Sequence, residues 1–178
     1  MRILVFPRRI FMAVARVRRV PLVAVTAALA VASAGAVTAT TVAVVELRHD
    51  DAIRKAEAAA ETDAKAKLPA VLSYDFHTVD TEFPKAADNL TGKFKDDFAH
   101  LGTSIIIPAA HQDSIVTKAD VVETSVVEAA ADRVTLLVFL NQTTTSTKMP
   151  GPRLDGSRVR ITMTQSGAKW LISDITPV

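Results

Sequence analysis

The chain contains no cysteine, and that absence removes several classes at once. A disulfide framework, a thiol nucleophile, a cysteine-ligated zinc and a lipid-modified cysteine anchor are all excluded. It does not fix the compartment. The roughly 130 residues beyond residue 45 are enough to bury a core without bridges. Histidine is sparse too. His49, His77, His100 and His111 are scattered, with no His-x-x-x-His pair and no carboxylate at ligand spacing, so no metal site is expected. No cofactor-binding motif accompanies them.

Acidic residues are missing from the first twenty positions, where Arg2, Arg8, Arg9, Arg16, Arg18 and Arg19 fall. Those six arginines exceed the net charge of +2 of the whole chain, so everything after them carries −4. A mildly acidic remainder cannot form the basic footprint that phosphate backbones require. Nucleic-acid binding is excluded on that charge distribution, despite a pI near 9.0.

Charge of either sign is absent from residues 20–45, a run of about 26 residues made of Ala and Val with a few Thr and Ser. At about 1.5 Å per residue a helix of that length spans about 39 Å, more than a hydrocarbon core of about 30 Å. Its hydroxyls can bond back to helix carbonyls and are tolerated in lipid. The arginine-rich flank places the N-terminus in the cytoplasm and the remainder outside, in the inner (cell) membrane of a bacterial-type envelope. A cleaved signal peptide is the competing reading, because Ala32-Ser33-Ala34 has the form of a cleavage site and Arg8-Arg9-Ile10-Phe11 loosely matches a twin-arginine signal. Against it, the apolar run continues well past that site. Ala28, Ala32, Ala36 and Thr40 form a ladder of small residues that would let such a helix pack closely on another.

The expected organisation is therefore a basic cytoplasmic arm at 1–19, a transmembrane helix at 20–45, a helical stalk at 46–69 and an extracytoplasmic α+β domain at 70–178. The stalk is alanine-rich, with Glu61 and Lys65, and Asp63 and Lys67, at favourable i,i+4 spacing. Pro69 should end or kink it. Asp80-Thr81-Glu82-Phe83-Pro84 reads as a helix start and Gly92 as a stop. Phe94, Phe98, Leu101 and Ile105 recur with helical period, up to a break at Pro108. Strands follow: residues 115–127, 134–147, 158–165 and 169–175. Turn chemistry separates them at Pro150-Gly151-Pro152, Asp155-Gly156 and Ser166-Gly167. Val159, Ile161 and Met163 alternate with Arg158, Arg160, Thr162 and Thr164, so that strand has one apolar face. Helices first and one antiparallel sheet afterwards define an α+β fold, with about three helices on a curved sheet of about four strands.

Leu72-Ser73-Tyr74-Asp75-Phe76, then Leu90-Thr91-Gly92 followed by Phe94 and Phe98, resemble the helical part of the Mce-associated membrane proteins. Val138-Phe139-Leu140-Asn141-Gln142-Thr143-Thr144-Thr145, Asp155-Gly156-Ser157-Arg158-Val159 and Trp170-Leu171-Ile172-Ser173-Asp174 resemble that family's strand blocks, in the same order, over roughly residues 45–178. Gly167-Ala168-Lys169-Trp170 departs from it, since the family more often puts a Gly–Arg or Gly–Lys step directly before the Trp. The resemblance implies a cone-shaped domain similar to the nuclear transport factor 2-like and SnoaL-like folds. It also implies an accessory subunit that stabilises or assembles Mce-type lipid import machinery without catalysing a reaction, with the transporter's subunits and the membrane as partners.

Two further classes stay open: a module whose cavity holds a lipid or sterol, and a pocket enzyme of the isomerase or dehydratase type. Tyr74, Asp75, His77 and Asp80 supply acid–base residue types for the latter. On a helix, however, Tyr74 and Asp75 face about 100° apart and cannot share a pocket, so no catalytic residue is assigned. Asn141, Gln142, Thr143, Thr144 and Thr145, in the polar run 141–147, are the candidate partner contacts, through strand addition or side-chain amides. Arg158 and Arg160, on the polar strand face, join them as ligands for a neighbouring acid or a lipid headgroup. Tyr74, Phe76, Phe94, Phe98 and Trp170 are the candidates for a pocket or core.

Overall fold

The computed structural model describes residues 22–178, and the surroundings of side chains from Leu47 onward. The expected basic arm lies outside the described residues, as do the side chains of the expected spanning segment 20–45 and of its small-residue ladder. Among the described residues no helix is long and apolar enough to cross a membrane. Two compact units divide the chain, Met1–Val45 and Glu46–Val178. The first contributes the beginning of helix α1 (Leu22–Leu72), and every other element belongs to the second.

The alanines of α1 decide how the second unit packs. Ala56, Ala60, Ala64 and Leu68 recur every four residues, share one face and are buried. Side chains this small let the helix axis approach a sheet closely. The segment expected as a stalk thus contributes one wall of the core from Ala56 onward. Pro69 does not end the helix, which runs three residues further and closes with Ser73 N–H donating to the Pro69 carbonyl at 2.9 Å. So near the C-terminus, the missing proline N–H forfeits one helical bond without stopping the coil.

Beyond α1 the class is α+β, as expected. A two-residue strand β1 (Tyr74–Asp75) leads into three short helices, α2 (Val79–Ala86), α3 (Gly92–Leu101) and α4 (Ile107–Asp113). Four long strands follow, β2 (Val116–Ala129), β3 (Arg133–Thr145), β4 (Arg153–Ser166) and β5 (Lys169–Pro177). The sheet is an antiparallel meander in the order β1-β2-β3-β4-β5. It has five strands instead of about four, because β1 is too short to carry an alternation pattern. Gly92, expected as a helix stop, opens α3 instead. Pro108 sits in the first turn of α4, but the preceding residues Gly102–Ile106 are themselves helical, so the coil runs on past the expected break.

Asp155-Gly156 is not a turn. Strand β4 begins at Arg153 and pairs Gly156 with Asn141, giving the polar end of β3 a partner on that side. The other two expected turns hold, with Pro150-Gly151-Pro152 in the connection between β3 and β4. Gly167 adopts φ 62° at the first position of a two-residue hairpin loop between Ser166 and Lys169, where only glycine is unstrained. Two register shifts in β2, at Val122 and Val127, are bulges that bend the strand and turn both valines outward.

Strand alternation then builds the core. Val134, Leu136, Val138 and Leu140 of β3, Val159, Ile161 and Met163 of β4, and Trp170 and Ile172 of β5 are buried against the α1 stripe. Each of the larger side chains contributes about 1.5–3 kcal/mol of transfer free energy. A polar clamp fixes α1 to β5. Asp63 Oδ2 accepts from Lys67 Nζ at 2.6 Å and from the Trp170 backbone N–H at 2.9 Å. Lys67 Nζ also donates to the Trp170 carbonyl. Burial by itself would push the Asp63 carboxyl up, but the bonds from Lys67 and Trp170 and the Lys67 charge outweigh it and hold the group below the usual carboxylate range. Of the two helical pairs expected in this stretch, Asp63 and Lys67 meet. Glu61 instead accepts from Thr124 Oγ1 of β2 at 3.1 Å.

Candidate functional site

One end of the α1–sheet sandwich is left unfilled. Val71 and Leu72 end α1, Tyr74 follows on β1, and Phe83 of α2 closes one side. Phe94, Phe98 and Leu101 of α3 form the opposite wall, and Gln142 of β3 with Ile175 and Pro177 of β5 complete it. The resulting half-open cavity measures about 360 Å³ and is mostly apolar. Its aromatic wall is ordered by stacking: Phe83 and Phe98 lie 4.3 Å apart between ring centroids and nearly parallel, and Phe94 leans on Phe98 at 6.5 Å. Such pairs add about 0.5–1.5 kcal/mol beyond area burial.

The helical wall is irregular at the cavity's edge. After Leu101 the chain makes a π-turn, Gly102–Ile106, before α4. A methyl at Gly102 would lie 2.1 Å from Phe83 Cε1, so only glycine lets the turn and the ring coexist. The periodic stripe Phe94, Phe98, Leu101, Ile105 is helical as expected, yet α3 buries none of its residues. Leu101 is 44% exposed and Ile105 56%.

Three polar side chains line the cavity: the phenol of Tyr74, Asp97 and Gln142. Asp97 is exposed at the rim and paired with Lys93 Nζ at 2.5 Å. Gln142 follows Val134, Leu136, Val138 and Leu140 in the inward register of β3 and is half-buried. Its amide takes part in no side-chain hydrogen bond among the described residues. That inward parity was readable from the sequence, and it is the signal that separates Gln142 from its neighbours in the polar run.

The remaining candidates are distributed as follows. Tyr74, Phe94 and Phe98 line the cavity; Phe76 does not, and packs instead near Val79 and Phe83 with its ring 3.7 Å from His77. Trp170 is core, 5% exposed. Asn141–Thr145 lie inside the sheet, bonded to β2 on one side and, through Thr144, to β4 on the other. Strand addition is therefore closed to them, because both backbone edges are taken. Thr144 Oγ1 bonds Thr117 Oγ1 at 3.3 Å, while Asn141 points outward and is exposed.

Arg158 and Arg160 are exposed on the outer sheet face, directly across from Phe139 and Leu137. Among the described residues neither forms an ion pair, so the acid expected beside them is not there. Phe139, Leu154, Val122 and Val127 are exposed apolar residues on β2–β4. Val122, Phe139, Asn141, Gly156 and Arg158 border a shallow depression in this face.

The acid–base candidates separate. Asp75 is half-buried, accepts from the His77 backbone N–H at 2.9 Å and sits 2.7 Å from His77 Nδ1. The backbone bond first, then the side-chain bond, lower its carboxyl from the ordinary value. Asp80 pairs with His111 Nε2 at 2.8 Å, away from the cavity. Among the described residues no three His, Asp or Glu side chains are grouped to hold a metal ion.

A cone of three short helices and a long one against an antiparallel meander, open at one end, is a nuclear transport factor 2-like arrangement. The family model described as "Uncharacterized protein Rv1363c/MT1408-like" matches residues 20–178, and the chain belongs to that family. Uncharacterized protein Rv1362c of Mycobacterium tuberculosis is 36% identical over 129 residues, 72% of this chain. This chain spans only 57% of that relative's length. Outer membrane protein Rv1973 of Mycobacterium tuberculosis is 35% identical over 133 residues, 73% of this chain and 82% of the relative. The fold is shared with the periplasmic domain of DotI (TM-score 0.55, 15% identity, 66% of this chain and 91% of that one). It is also shared with an IcmL-like type IV secretion system protein from Legionella pneumophila (TM-score 0.54, 12% identity, 66% and 89%). At those identities the likeness concerns the fold.

Proposed function

We propose that this protein is a non-catalytic accessory subunit of an Mce-type lipid import system. In this reading residues 20–45 anchor it in the inner membrane, the arginine arm is cytoplasmic and residues 46–178 lie outside. The observation that carries the docking role is the outer sheet face, where Phe139, Leu154 and Val122 are exposed beside Arg158 and Arg160, which have no ion-pair partner among the described residues. Apolar and arginine side chains grouped on a rigid strand surface are the composition of protein contacts. Envelope placement is supported by the uncharged run and its basic flank, by the relative named an outer membrane protein, and by a fold shared with a periplasmic domain. The Mce assignment rests on the resemblance of the sequence blocks. A non-catalytic role is favoured because the carboxylate nearest the cavity, Asp97, is exposed and neutralised by Lys93, whereas a general base in an apolar pocket needs burial to tune it.

Site-specific photo-crosslinking from position 139 in cells tests the reading. Adducts with Mce permease or substrate-binding subunits are expected from position 139 and not from Lys85, an exposed control on α2. Membrane-inserted protein that gives no adduct from position 139 would refute docking through this face.

A further inference from the structure

We propose that the cavity between α3 and the end of the sheet is a binding site for an uncharged amphiphile: an apolar body held by the aromatic wall, with one hydroxyl or carbonyl bonded to Gln142. This site stands independently of the docking role. The cavity is concave, with walls from α1, α3 and β5, and its volume of about 360 Å³ lies in the range of small-molecule sites. A flat patch would suit a protein, but here the lining continues inward from the exposed Leu101 past Phe98 to Gln142. Helix α3 sets Phe94, Phe98 and Leu101 on one face, the two phenylalanines half-buried against the core and Leu101 exposed. A ligand would complete a hydrophobic face that the chain itself leaves open.

The wall is also preformed. Phe83 is wedged between Gly102 and the ring of Phe98, and the π-turn beside it is a helix irregularity that recurs at functional sites. A wall that need not rearrange costs a ligand little on entry.

Charge selects the ligand class. Asp97 at the rim is paired with Lys93 Nζ at 2.5 Å, so among the described residues the lining offers no free counter-charge to a carboxylate, phosphate or ammonium head. Gln142 presents both donor and acceptor, and its amide has no side-chain partner among the described residues, so it matches a hydroxyl or carbonyl of a neutral lipid.

The test uses the full chain in lipid nanodiscs with an alkyne-tagged monoacylglycerol bearing a diazirine in its acyl chain. Adducts should map to peptides containing Tyr74 and Phe94–Leu101. Monoolein should compete at least tenfold better than oleate, and a parallel arm with cholesterol decides between a single-chain and a sterol body. Leu101→Asp, at an exposed position, should cut labelling tenfold or more with an unchanged melting temperature. Gln142→Leu should erase the preference for monoolein over an alkane of equal length. Labelling confined to residues 20–45, equal competition by oleate, or insensitivity to Leu101→Asp would overturn the proposal. So would a chain-to-chain adduct through α3, which would make a second copy the occupant. Loss of transporter partners would leave this result untouched.

Discussion

Replacing Asp63 with asparagine strikes the polar junction that, among the described residues, ties α1 to β5. The carboxylate accepts two bonds, from Lys67 Nζ at 2.6 Å and from the Trp170 N–H at 2.9 Å. Both bonds end on the one oxygen Oδ2, so an asparagine oxygen in its place can still accept both, but without the negative charge each bond is weaker. Bonds to charged groups contribute about 1.5–3 kcal/mol and neutral ones about 0.5–1.5. The lysine and aspartate side chains are 15% and 32% exposed, so solvent screens part of that difference. The expected loss is about 1–2 kcal/mol for Asp63→Asn. It rises to about 2–3 for Asp63→Ala, which also leaves the Trp170 N–H without its acceptor. The pH dependence follows from the lowered folded-state carboxyl. A depressed group contributes stability fully above its unfolded value, about 3.9, and loses it as pH falls through the lower folded value. The gap between wild type and Asp63→Asn should be constant from about pH 5 to 8 and shrink below about pH 4. Trp170 is the chain's single tryptophan and is buried at this junction, so its emission reports urea unfolding at the site itself. A gap under about 0.5 kcal/mol at neutral pH, or one that persists undiminished in acid, would refute the reasoning.

Gly102→Ala should destabilise by about 1–3 kcal/mol in the same urea assay, although alanine ordinarily favours helix, because the added carbon meets the Phe83 ring. Ala60→Leu, at a position with no exposure against the sheet, should cost a similar amount by forcing α1 outward, whereas Ala58→Leu on the exposed side should change stability by less than about 0.5 kcal/mol. Phe139→Ser with Leu154→Ser should leave the melting temperature nearly unchanged, as both are exposed, while reducing partner recovery from membranes severalfold. Since the chain has no cysteine, Lys148→Cys gives a single topology probe. A membrane-impermeant maleimide should label it in intact spheroplasts, and Arg2→Cys only after permeabilisation.

Strands were more legible than helices in this chain, for identifiable reasons. Arg158 to Gln165 alternates cleanly, and Val159, Ile161 and Met163 are all buried as that pattern requires. Strand β2 reads only as Val- and Thr-rich, because the bulges at Val122 and Val127 shift parity twice. The α1 stripe escaped notice since alanine is a weak hydrophobic marker among charges, although Ala56, Ala60, Ala64 and Leu68 keep one spacing. Asp155-Gly156 carries turn chemistry, yet the long partner strand overrides it by supplying a ladder through Asn141. The aromatic part of the site was partly visible, in Tyr74, Phe94 and Phe98. Its polar member, Gln142, was grouped with its neighbours until strand parity separated it. Trp170 resolved to core, and Phe76 to a separate cluster, because helix and strand ends set directions that spacing alone does not give.

Membership of a transporter assembly can be read from mild detergent extraction of the tagged chain from its native membranes, followed by mass spectrometry of what accompanies it. Mce-type permease and substrate-binding subunits should be recovered with it, and depleted when Phe139 and Leu154 are replaced by serine. Recovery of the membrane-extracted chain alone, with neither subunit enriched over an unrelated single-span control, would contradict that membership.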